Sequence, residues 1–487
     1  MLFNSASYLF AFLPGVVLIY WQLPERLRLW FILLASLAFY GFWRIEFIPL
    51  LLFSAALDYV LALWIEATGD KVQRRRIMLL SVVCNIGILA FFKYLLFFRD
   101  TLWSIAAWVG YHPGFVELNV ILPLGISFYI FATISYVIDV YRGEFKAERN
   151  FVVYCCFVVF FPHLVAGPIL RARNLIPQLR QPPTALSANE IQSGISRILQ
   201  GLFLKVVLAD SIAELVNLGF ARDASALSAL DVWTLAFLFG FQIYFDFAGY
   251  SHIAIGSARL LGITLPENFD FPYLATSPRD FWRRWHISLS TWIRDYVYLS
   301  MIGNVKAPDS IWDAKKEKTV TGEGQRTLSL YGTWALMGLW HGANWTFVLW
   351  GIYHAAFVHA YRLASARIPW RAGIAFAWIS RGITLPIIMA GWIPFRSQSI
   401  RDTLVMWGKM LDPAAYFSFG LAPNSYLVAA SMTTCMIGAW LVQCGLIPRI
   451  KSRFLVMLPA QIAAYTVMVM LDIVFLQAKN QFIYFQF

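Results

Sequence analysis

The decapeptide LMGLWHGANW, from Leu336 to Trp345, places a histidine inside an otherwise apolar stretch. A neutral imidazole can accept a proton from a hydroxyl group, and such assistance is typically worth about 10²–10⁴ in rate. Gly338 and Gly342 flank His341 and allow a neighbouring helix or a ligand to approach the backbone closely. On a helix, Asn344 at i+3 is close enough to orient the ring or a substrate carbonyl. His341 is therefore a candidate general base, and a hydrogen-bonded structural role is the alternative that the residues leave open.

A second histidine lies in the segment RDFWRRWHISLSTWIRDY, residues 279–296. Helical periodicity puts Trp282, His286 and Ile293 near one face, with arginines elsewhere on the surface. This pattern is typical of an amphipathic helix at a membrane interface, anchored by tryptophan and arginine.

Three arginines of this segment, Arg283, Arg284 and Arg294, have two interpretations. They either anchor the interfacial helix or form the floor of a polar funnel. In the second case their guanidinium groups contact phosphates of a substrate or of a carrier-bound prosthetic group, because guanidinium recognises phosphate with paired hydrogen bonds. All three are candidate substrate contacts.

Two further polar residues interrupt apolar sequence. Asp246 in FDFAGY is a candidate for orienting a histidine or a substrate, with an ion pair to a nearby arginine as the alternative. His163 follows Pro162 and is expected to be a structural residue with a backbone partner. Ionisable groups at membrane depth cost roughly 2.5–3.5 kcal/mol even on the gentler insertion scale, so they tend to face a cavity or a partner.

The composition indicates which elements position these residues. The 487 residues are 59% hydrophobic and 14% charged, whereas soluble domains are roughly 45–50% apolar and 25% charged. We predict an all-α polytopic membrane protein with a single domain, residues 1–487, and roughly 10 to 13 hydrophobic helices of about 20 residues. The clearest apolar runs are residues 7–23, 29–44, 47–66, 77–98, 119–141, 151–168, 329–361, 374–394, 425–447 and 455–477, with weaker runs near 100–110, 195–220 and 230–250.

Charge in the short loops predicts the orientation. Arg26 and Arg28 follow the first apolar run and the basic segment 71–76 follows the third, so the N-terminus is expected to face away from the cytoplasm. The first run has neither a basic region before it nor a small-residue cleavage site after it, and we expect it to be a retained span. The net charge of +12 indicates basic loops beside anionic lipid rather than a nucleic-acid surface.

Two other features limit the possible chemistry. The five cysteines lie in apolar runs without CxxC spacing, so we expect packing roles and no disulfide, zinc or other metal site. Residues 305–326, VKAPDSIWDAKKEKTVTGEGQR, are polar and rich in turn formers, and we predict an extended loop there.

Five ordered motifs carry a family resemblance: FPHLVAGPILR (161–171), YFDFAGYSHIAIG (244–256), ENFDFPY (267–273), FWRRWHISLSTWIRDYVY (281–298) and GLWHGANW (338–345). Together with the N-terminal MLFNSASYLFAFLP and the segment 122–143, they resemble the membrane-bound O-acyltransferase (MBOAT) superfamily. The likeness is strongest to its bacterial branch, which includes the membrane subunit of alginate O-acetylation.

The resemblance implies a site and a fold. His341 matches the presumed catalytic histidine of the WHG motif, and His286 is a second functional candidate. Trp340 joins Asn344 and Asp246 as a predicted substrate contact. The implied fold is a ring of tilted transmembrane helices around a thinned centre, with a through-tunnel, in the cytoplasmic membrane of a bacterium.

The resemblance also implies a reaction. The expected function is transfer of an acetyl or other short acyl group from a cytoplasmic thioester, acetyl-coenzyme A or an acyl carrier protein, toward an exported polysaccharide. A periplasmic or extracellular transferase is the expected partner, and no tightly bound cofactor is expected. The alternatives are cell-wall acylation, either peptidoglycan O-acetylation or teichoic-acid D-alanylation, and a non-enzymatic transport or scaffold subunit.

Overall fold

The computed structural model describes residues 1–112, 114, 118, 120–165, 167–303, 322–367, 373–447 and 454–476. Within these residues every regular element is a helix, which confirms the predicted all-α class. The chain forms two compact units. The first contains residues 1–195 and 254–266, and the second contains residues 196–253 and 267–487.

The first unit is built mainly from the N-terminal helices. Its α-helices are α1 (Leu13–Gln22), α2 (Glu25–Gly41), α3 (Ile48–Ala67), α4 (Lys71–Leu89), α5 (Leu95–Trp108), α6 (Ile126–Arg142), α7 (Phe151–Val159), α8 (Phe161–Leu164), α9 (Ala172–Arg180) and the first half of α10 (Ala188–Leu202). Short polar side chains begin several of them. The Asp70 side chain accepts hydrogen bonds from the backbone N–H groups of Val72 and Gln73, which would otherwise have no partner at the start of α4.

A polar network lies inside the first unit, between α3, α4 and α6. The buried Asp58 carboxylate accepts hydrogen bonds from Ser81 Oγ at 2.5 Å and from Asn85 Nδ2 at 3.0 and 2.8 Å. Asn85 Oδ1 in turn accepts from Ser54 Oγ and Thr133 Oγ1. Each polar group of this network is therefore paired with another, as buried polar groups usually are.

The second unit carries the remaining helices. They are the second half of α10, α11 (Asp210–Phe220), α12 (Ala229–Leu260, whose last residues belong to the first unit), α13 (Pro278–Arg284), α14 (Ile287–Ile293), α15 (Leu299–Met301), α16 (Glu323–His341), α17 (Trp345–Arg367), α18 (Ile374–Arg396), α19 (Ile400–Leu411), α20 (Pro423–Leu441) and α21 (Phe454–Phe475). Across the described residues of both units, π-helical segments join or extend helices at Ser7–Phe12, Ala90–Tyr94, Phe203–Ala209, Arg294–Tyr298 and Val442–Leu446.

Six of the described helical stretches are long and apolar enough to cross a membrane. They are Ile45–Ala67, Lys71–Trp108, Ala229–Leu260, Ile374–Arg396, Pro423–Gly445 and Leu458–Phe475, with Ser7–Gln22 as a shorter apolar helix. The protein is thus a membrane protein, with fewer long spans than the predicted 10 to 13 hydrophobic helices.

Helix breaks explain part of this difference. The predicted run 151–168 is divided at Phe160 into α7 and α8, and the predicted run 329–361 is divided at residues 342–344 into α16 and α17. Most of the loop predicted at 305–326 lies outside the described residues. Its last part was predicted wrongly, because residues 323–326 form the first turn of α16.

Candidate functional site

His341 is the last residue of α16, and the chain continues in an extended conformation at Gly342. The imidazole is 3% exposed. Aromatic rings enclose it: the ring centroids of Trp340 and Trp350 lie 4.9 Å from that of His341, and the centroid of Phe395 lies at 5.2 Å. The predicted base therefore lies at a helix end, within an aromatic and water-poor environment.

The glycines around His341 are required by the packing of α16 on α17. A Cβ at Gly338 would fall 2.1 Å from the carbonyl oxygen of Phe347, and a Cβ at Gly342 would fall 2.1 Å from the Phe347 ring. Both distances are far below van der Waals contact. The close approach that these glycines predict is confirmed, and the approaching group is the start of the next helix.

Asn344 does not lie on the helix that carries His341, because α16 ends three residues earlier. Its Oδ1 accepts a hydrogen bond from the Thr346 N–H at 3.0 Å, and the residue is exposed. The expectation that Asn344 follows His341 at i+3 on one helix was wrong, since the turn at Gly342 breaks the periodicity. In the structure Asn344 caps the beginning of α17.

His286 is fully buried and adopts a left-handed conformation, with φ at 41°. Such a conformation costs a non-glycine residue on the order of 1–3 kcal/mol and persists only where the surroundings enforce it. Here Asn268 Oδ1 accepts hydrogen bonds from Ser288 Oγ at 2.9 Å and from His286 Nδ1 at 3.0 Å. These contacts hold the ring and its backbone in place.

The Asn268 contact also defines the tautomer of His286. Asn268 Nδ2 donates to Ser251 Oγ, so the oxygen that faces His286 can only accept, and Nδ1 must carry the proton. His286 lies outside the six candidate spans, and burial lowers the pKa of its imidazole to about 3. The ring is therefore neutral, and Nε2 keeps its lone pair, with no hydrogen-bond partner among the described residues.

Trp340 lies between the two predicted histidines. Its ring centroid is 4.9 Å from that of His341 and 6.3 Å from that of His286. The structure thus brings together three residues predicted from two separate motifs, all within the second unit.

The segment 279–296 is not a single interfacial helix. Helix α13 ends at Arg284, α14 begins at Ile287, and the left-handed His286 breaks the periodicity between them. Trp282 and Trp285 are buried, 3% and 1% exposed, so they pack inside the protein and do not anchor an interface. The predicted amphipathic helix was wrong, because the contacts of His286 override the local helical pattern.

A cavity of about 260 Å³ lies beside this segment. It is lined by Arg279, Trp282, Ser290, Ile293, Arg294, Tyr298, Leu299, Glu323, Arg326, Leu330, Thr333, Trp334, Met337, Val358 and Arg362. Four arginines and one glutamate thus line the cavity, and the Glu323 carboxylate accepts a hydrogen bond from Arg362 at 2.6 Å. The cavity combines a cationic part with an aromatic wall, which suits an amphiphilic anion.

Of the three predicted arginines, only Arg294 is among the residues lining this cavity. Arg294 forms an ion pair with Asp295, and Arg284 pairs with Asp280 at 3.0 Å. Arg283 is exposed.

Sequence reasoning missed Arg279, Arg326 and Arg362. Arg279 lies within a motif that the sequence analysis identified, and Arg326 was assigned to the loop. Arg362 follows the predicted apolar run 329–361 without any local signal.

Asp246 is buried in an ion pair with a lysine rather than an arginine. Lys205 Nζ lies 2.5 Å from Asp246 Oδ1 and 2.8 Å from Asp210 Oδ1. Lys205 is 1% exposed and was missed, although a lone lysine within LFLKVVLAD is a recognisable signal. This pairing favours a structural role for Asp246, since buried charges need a partner.

His163, in the first unit, is a structural histidine as predicted. Its Nε2 donates to the Phe157 carbonyl oxygen at 2.9 Å.

Comparison with known proteins places this geometry in a family. The model of the MBOAT, membrane-bound O-acyltransferase family matches residues 144–396, which include both histidines and the cavity. The chain is 39% identical to the probable alginate O-acetylase AlgI of Azotobacter vinelandii over 91% of this chain and 83% of that protein. It is 35% identical to the peptidoglycan O-acetyltransferase of Helicobacter pylori over 83% of this chain and 78% of that protein.

A more distant relative is the teichoic acid D-alanyltransferase of Bacillus subtilis, 30% identical over 50% of this chain and 60% of that protein. The names of these relatives all describe acyl transfer or acetylation. This chain is a membrane acyltransferase and belongs to the membrane-bound O-acyltransferase family.

Proposed function

We propose that the protein moves an acetyl or other short acyl group from a cytoplasmic thioester donor toward the O-acetylation of an exported polysaccharide. The observation that carries the proposal is the burial of His341 at a helix end, in the same unit as a cavity lined by four arginines. The similarity to AlgI proteins over most of the chain supports acetyl as the group and a polysaccharide as the final acceptor.

In this proposal His341 is the general base. It removes the proton of an acceptor hydroxyl as the oxygen attacks the thioester carbonyl carbon. The C–S bond then breaks, and the thiolate takes the proton from His341. The carbonyl groups at the C-terminal end of α16 stabilise the positive charge that develops on the ring. A transient acyl-imidazole on His341 is the alternative pathway.

His286 is the second functional residue of the proposal. Its unprotonated Nε2 and its contact with Trp340 allow it to accept a hydrogen bond from the acceptor or to fix the indole beside His341. Trp340 and Asn344 remain proposed substrate contacts.

The cavity is the proposed site for the anionic part of the donor. Arginine recognises phosphate groups with paired hydrogen bonds, and both coenzyme A and an acyl carrier's prosthetic group contain phosphate. We propose Arg279, Arg294, Arg326 and Arg362 as these contacts, because they line one cavity.

The proposal includes a location and a partner. The protein lies in the bacterial cytoplasmic membrane with its N-terminus outside, and a periplasmic or extracellular transferase receives the acyl group after it passes through a tunnel. Cell-wall acylation is the second candidate function, favoured by the similarity to the Helicobacter pylori peptidoglycan O-acetyltransferase.

The test follows labelled acetyl groups in membranes that contain the complete set of neighbouring subunits. Label from acetyl-coenzyme A or an acetylated carrier is expected to reach the polysaccharide. When the partner transferase is deleted, we expect no label in the polysaccharide. Label found in peptidoglycan and not in an exported polysaccharide would support cell-wall acylation and reject polysaccharide O-acetylation. Normal acetylation by a His341→Ala protein that still folds and binds its partners would reject both and leave a scaffold role.

A further inference from the structure

His354, on α17, has no role in the reaction described above, although it is completely buried. Its ring centroid lies 4.9 Å from that of Trp350, 5.1 Å from that of Trp282 and 5.8 Å from that of Trp334. The centroid of Trp392 lies at 6.5 Å. We refer to these five residues as the tryptophan–histidine cluster.

The cluster contains several buried nitrogen atoms without hydrogen bonds. Both ring nitrogens of His354 and the indole nitrogens of Trp282, Trp350 and Trp392 have no hydrogen-bond partner among the described residues. Leaving a buried donor or acceptor unsatisfied costs about 1–3 kcal/mol. Such groups are rare in native proteins, so a concentration of them in one cluster calls for a functional explanation.

The cluster connects the arginine-lined cavity with the base. Trp282 and Trp334 belong to the cavity wall, and both contact His354. On the other side of the cluster, the Trp350 centroid lies 4.9 Å from that of His341. Ring contacts of the cluster therefore extend from the cavity, which is the proposed phosphate site, to His341, so the cluster is positioned to contact a donor that reaches from one to the other.

The hydrogen-bonding capacity of the cluster favours one class of ligand. Indole nitrogens only donate, whereas a neutral imidazole offers one donor and one acceptor. A Cβ at Gly391 would lie 2.9 Å from His354 Nε2, so this nitrogen packs against the α18 backbone. The carbonyl oxygen of a secondary amide can accept hydrogen bonds from the indole N–H groups. It can also accept one from His354 Nδ1 when that nitrogen is protonated, and the amide N–H can donate to Nδ1 when it is not. A secondary amide therefore matches the cluster in either tautomer of His354.

We propose that the tryptophan–histidine cluster binds the amide-containing arm of the thioester donor, with His354 hydrogen-bonded to one of its amide groups. This inference rests on the proposed function, since it requires a thioester donor that reaches His341. The amide arm is common to coenzyme A and to the prosthetic group of acyl carriers. The cluster thus recognises what the two donors share, while the arginines recognise the phosphate.

The test compares three acetyl thioesters that differ in their amide groups: acetyl-coenzyme A, S-acetyl-N-acetylcysteamine and S-pentyl thioacetate, which has a similar length and no amide. His354→Phe keeps an aromatic ring and removes both nitrogens. It is expected to raise KM roughly tenfold for the two amide donors, the effect of one lost buried hydrogen bond. KM for S-pentyl thioacetate is expected to stay unchanged. His354→Gln, which keeps a donor and an acceptor, is expected to recover part of the loss.

His359→Phe is the matched control on the same helix. His359 is half-buried and contacts the Tyr331 ring, outside the cluster, so this variant is expected to behave as wild type with all three donors. An equal loss on all donors in His354→Phe, or no loss on any, would overturn the proposal and make the cluster a packing element. If His354→Phe does not fold, Trp282→Phe removes one indole N–H and is subject to the same comparison.

A binding measurement separates this inference from the proposed function. Free pantetheine, which contains two amides and no acyl group, is expected to raise the melting temperature of the wild-type protein and to have a smaller effect on His354→Phe. Stabilisation of the wild type without acyl transfer would reject the proposed function and leave the amide site standing. Acyl transfer with equal pantetheine effects on both proteins would reject the amide site alone.

Discussion

Two buried polar clusters, one in each unit, differ in how their hydrogen bonds are satisfied. Around Asp58 in the first unit, the carboxylate, hydroxyl and amide groups pair with one another between three helices. In the tryptophan–histidine cluster of the second unit, five nitrogens are buried without partners among the described residues. The first arrangement satisfies its own hydrogen bonds within the fold, whereas the second offers donors and an acceptor to the amide groups of the proposed ligand.

The same contrast separates the histidines. His163 in the first unit donates from Nε2 to a backbone carbonyl at 2.9 Å, and neither of its nitrogens is among the buried atoms without a partner in the described residues. His286 in the second unit uses Nδ1 to hold its ring, and its buried Nε2 is among those atoms. A buried histidine is therefore a functional candidate when its hydrogen bonds leave one nitrogen for a substrate. Burial alone does not distinguish the two.

Among the three variants that test the difference between the two units, His286→Ala is expected to have the largest effect on acyl transfer. Removal of Nε2 and of the contact with Trp340 should lower kcat for acyl transfer by about 10²-fold, in the range of a lost acid–base or positioning group. The measurement is transfer of labelled acetyl groups per folded molecule. His163→Ala is the control and should keep kcat within about twofold, since its partner is a backbone carbonyl. Equal losses in the two variants would remove the distinction between the histidines.

Arg279→Gln is expected to have the next largest effect. Loss of one charged contact to a phosphate should raise KM for acetyl-coenzyme A about tenfold, with kcat little changed. Arg283→Gln is the matched control from the same helix, because Arg283 is exposed and is not among the residues lining the cavity. A larger increase in KM for Arg283→Gln than for Arg279→Gln would support Arg283 as a donor contact, as first predicted from the sequence. It would also reject the cavity as the phosphate site.

Asp58→Ala is expected to have the smallest effect on transfer and a clear effect on stability. It leaves Ser81 Oγ without its acceptor, at a cost of about 1–3 kcal/mol, and leaves Asn85 Nδ2 with the Ser81 carbonyl oxygen but without the Asp58 carboxylate. Thermal unfolding in detergent should begin at a lower temperature, while kcat of the folded fraction stays at the wild-type value. A reduced kcat at unchanged stability would show that the first unit takes part in the chemistry.

The sequence predicted the helical class and the membrane setting, and its motifs singled out two histidines that both contact Trp340. These features depend on composition and on ordered local motifs, and they required no knowledge of long-range packing. Long-range contacts determine the features that were missed. Arg362 lies in an apolar helix and reaches the cavity only through packing, and Lys205 is paired with Asp246 across 41 positions of sequence.

Two of the wrong predictions, the single interfacial helix and the helical position of Asn344, have a common physical cause. A periodic pattern was extended through residues 284–287 and 341–345, where the helix breaks. At the first break His286 is held in a left-handed conformation by Asn268, and at the second the backbone turns into the next helix. In both places a predicted site residue lies at the break, where local helical propensity is a poor guide.

The central claim is that chemistry occurs at His341 in the second unit, while the satisfied polar network of the first unit only supports the fold. The most direct test measures acetyl transfer by equal amounts of folded His341→Gln and Asp58→Ala protein, together with the neighbouring subunits. We predict that His341→Gln loses at least about 10²-fold in rate while retaining wild-type stability and partner binding, and that Asp58→Ala keeps the wild-type rate. Wild-type transfer by His341→Gln would contradict the account.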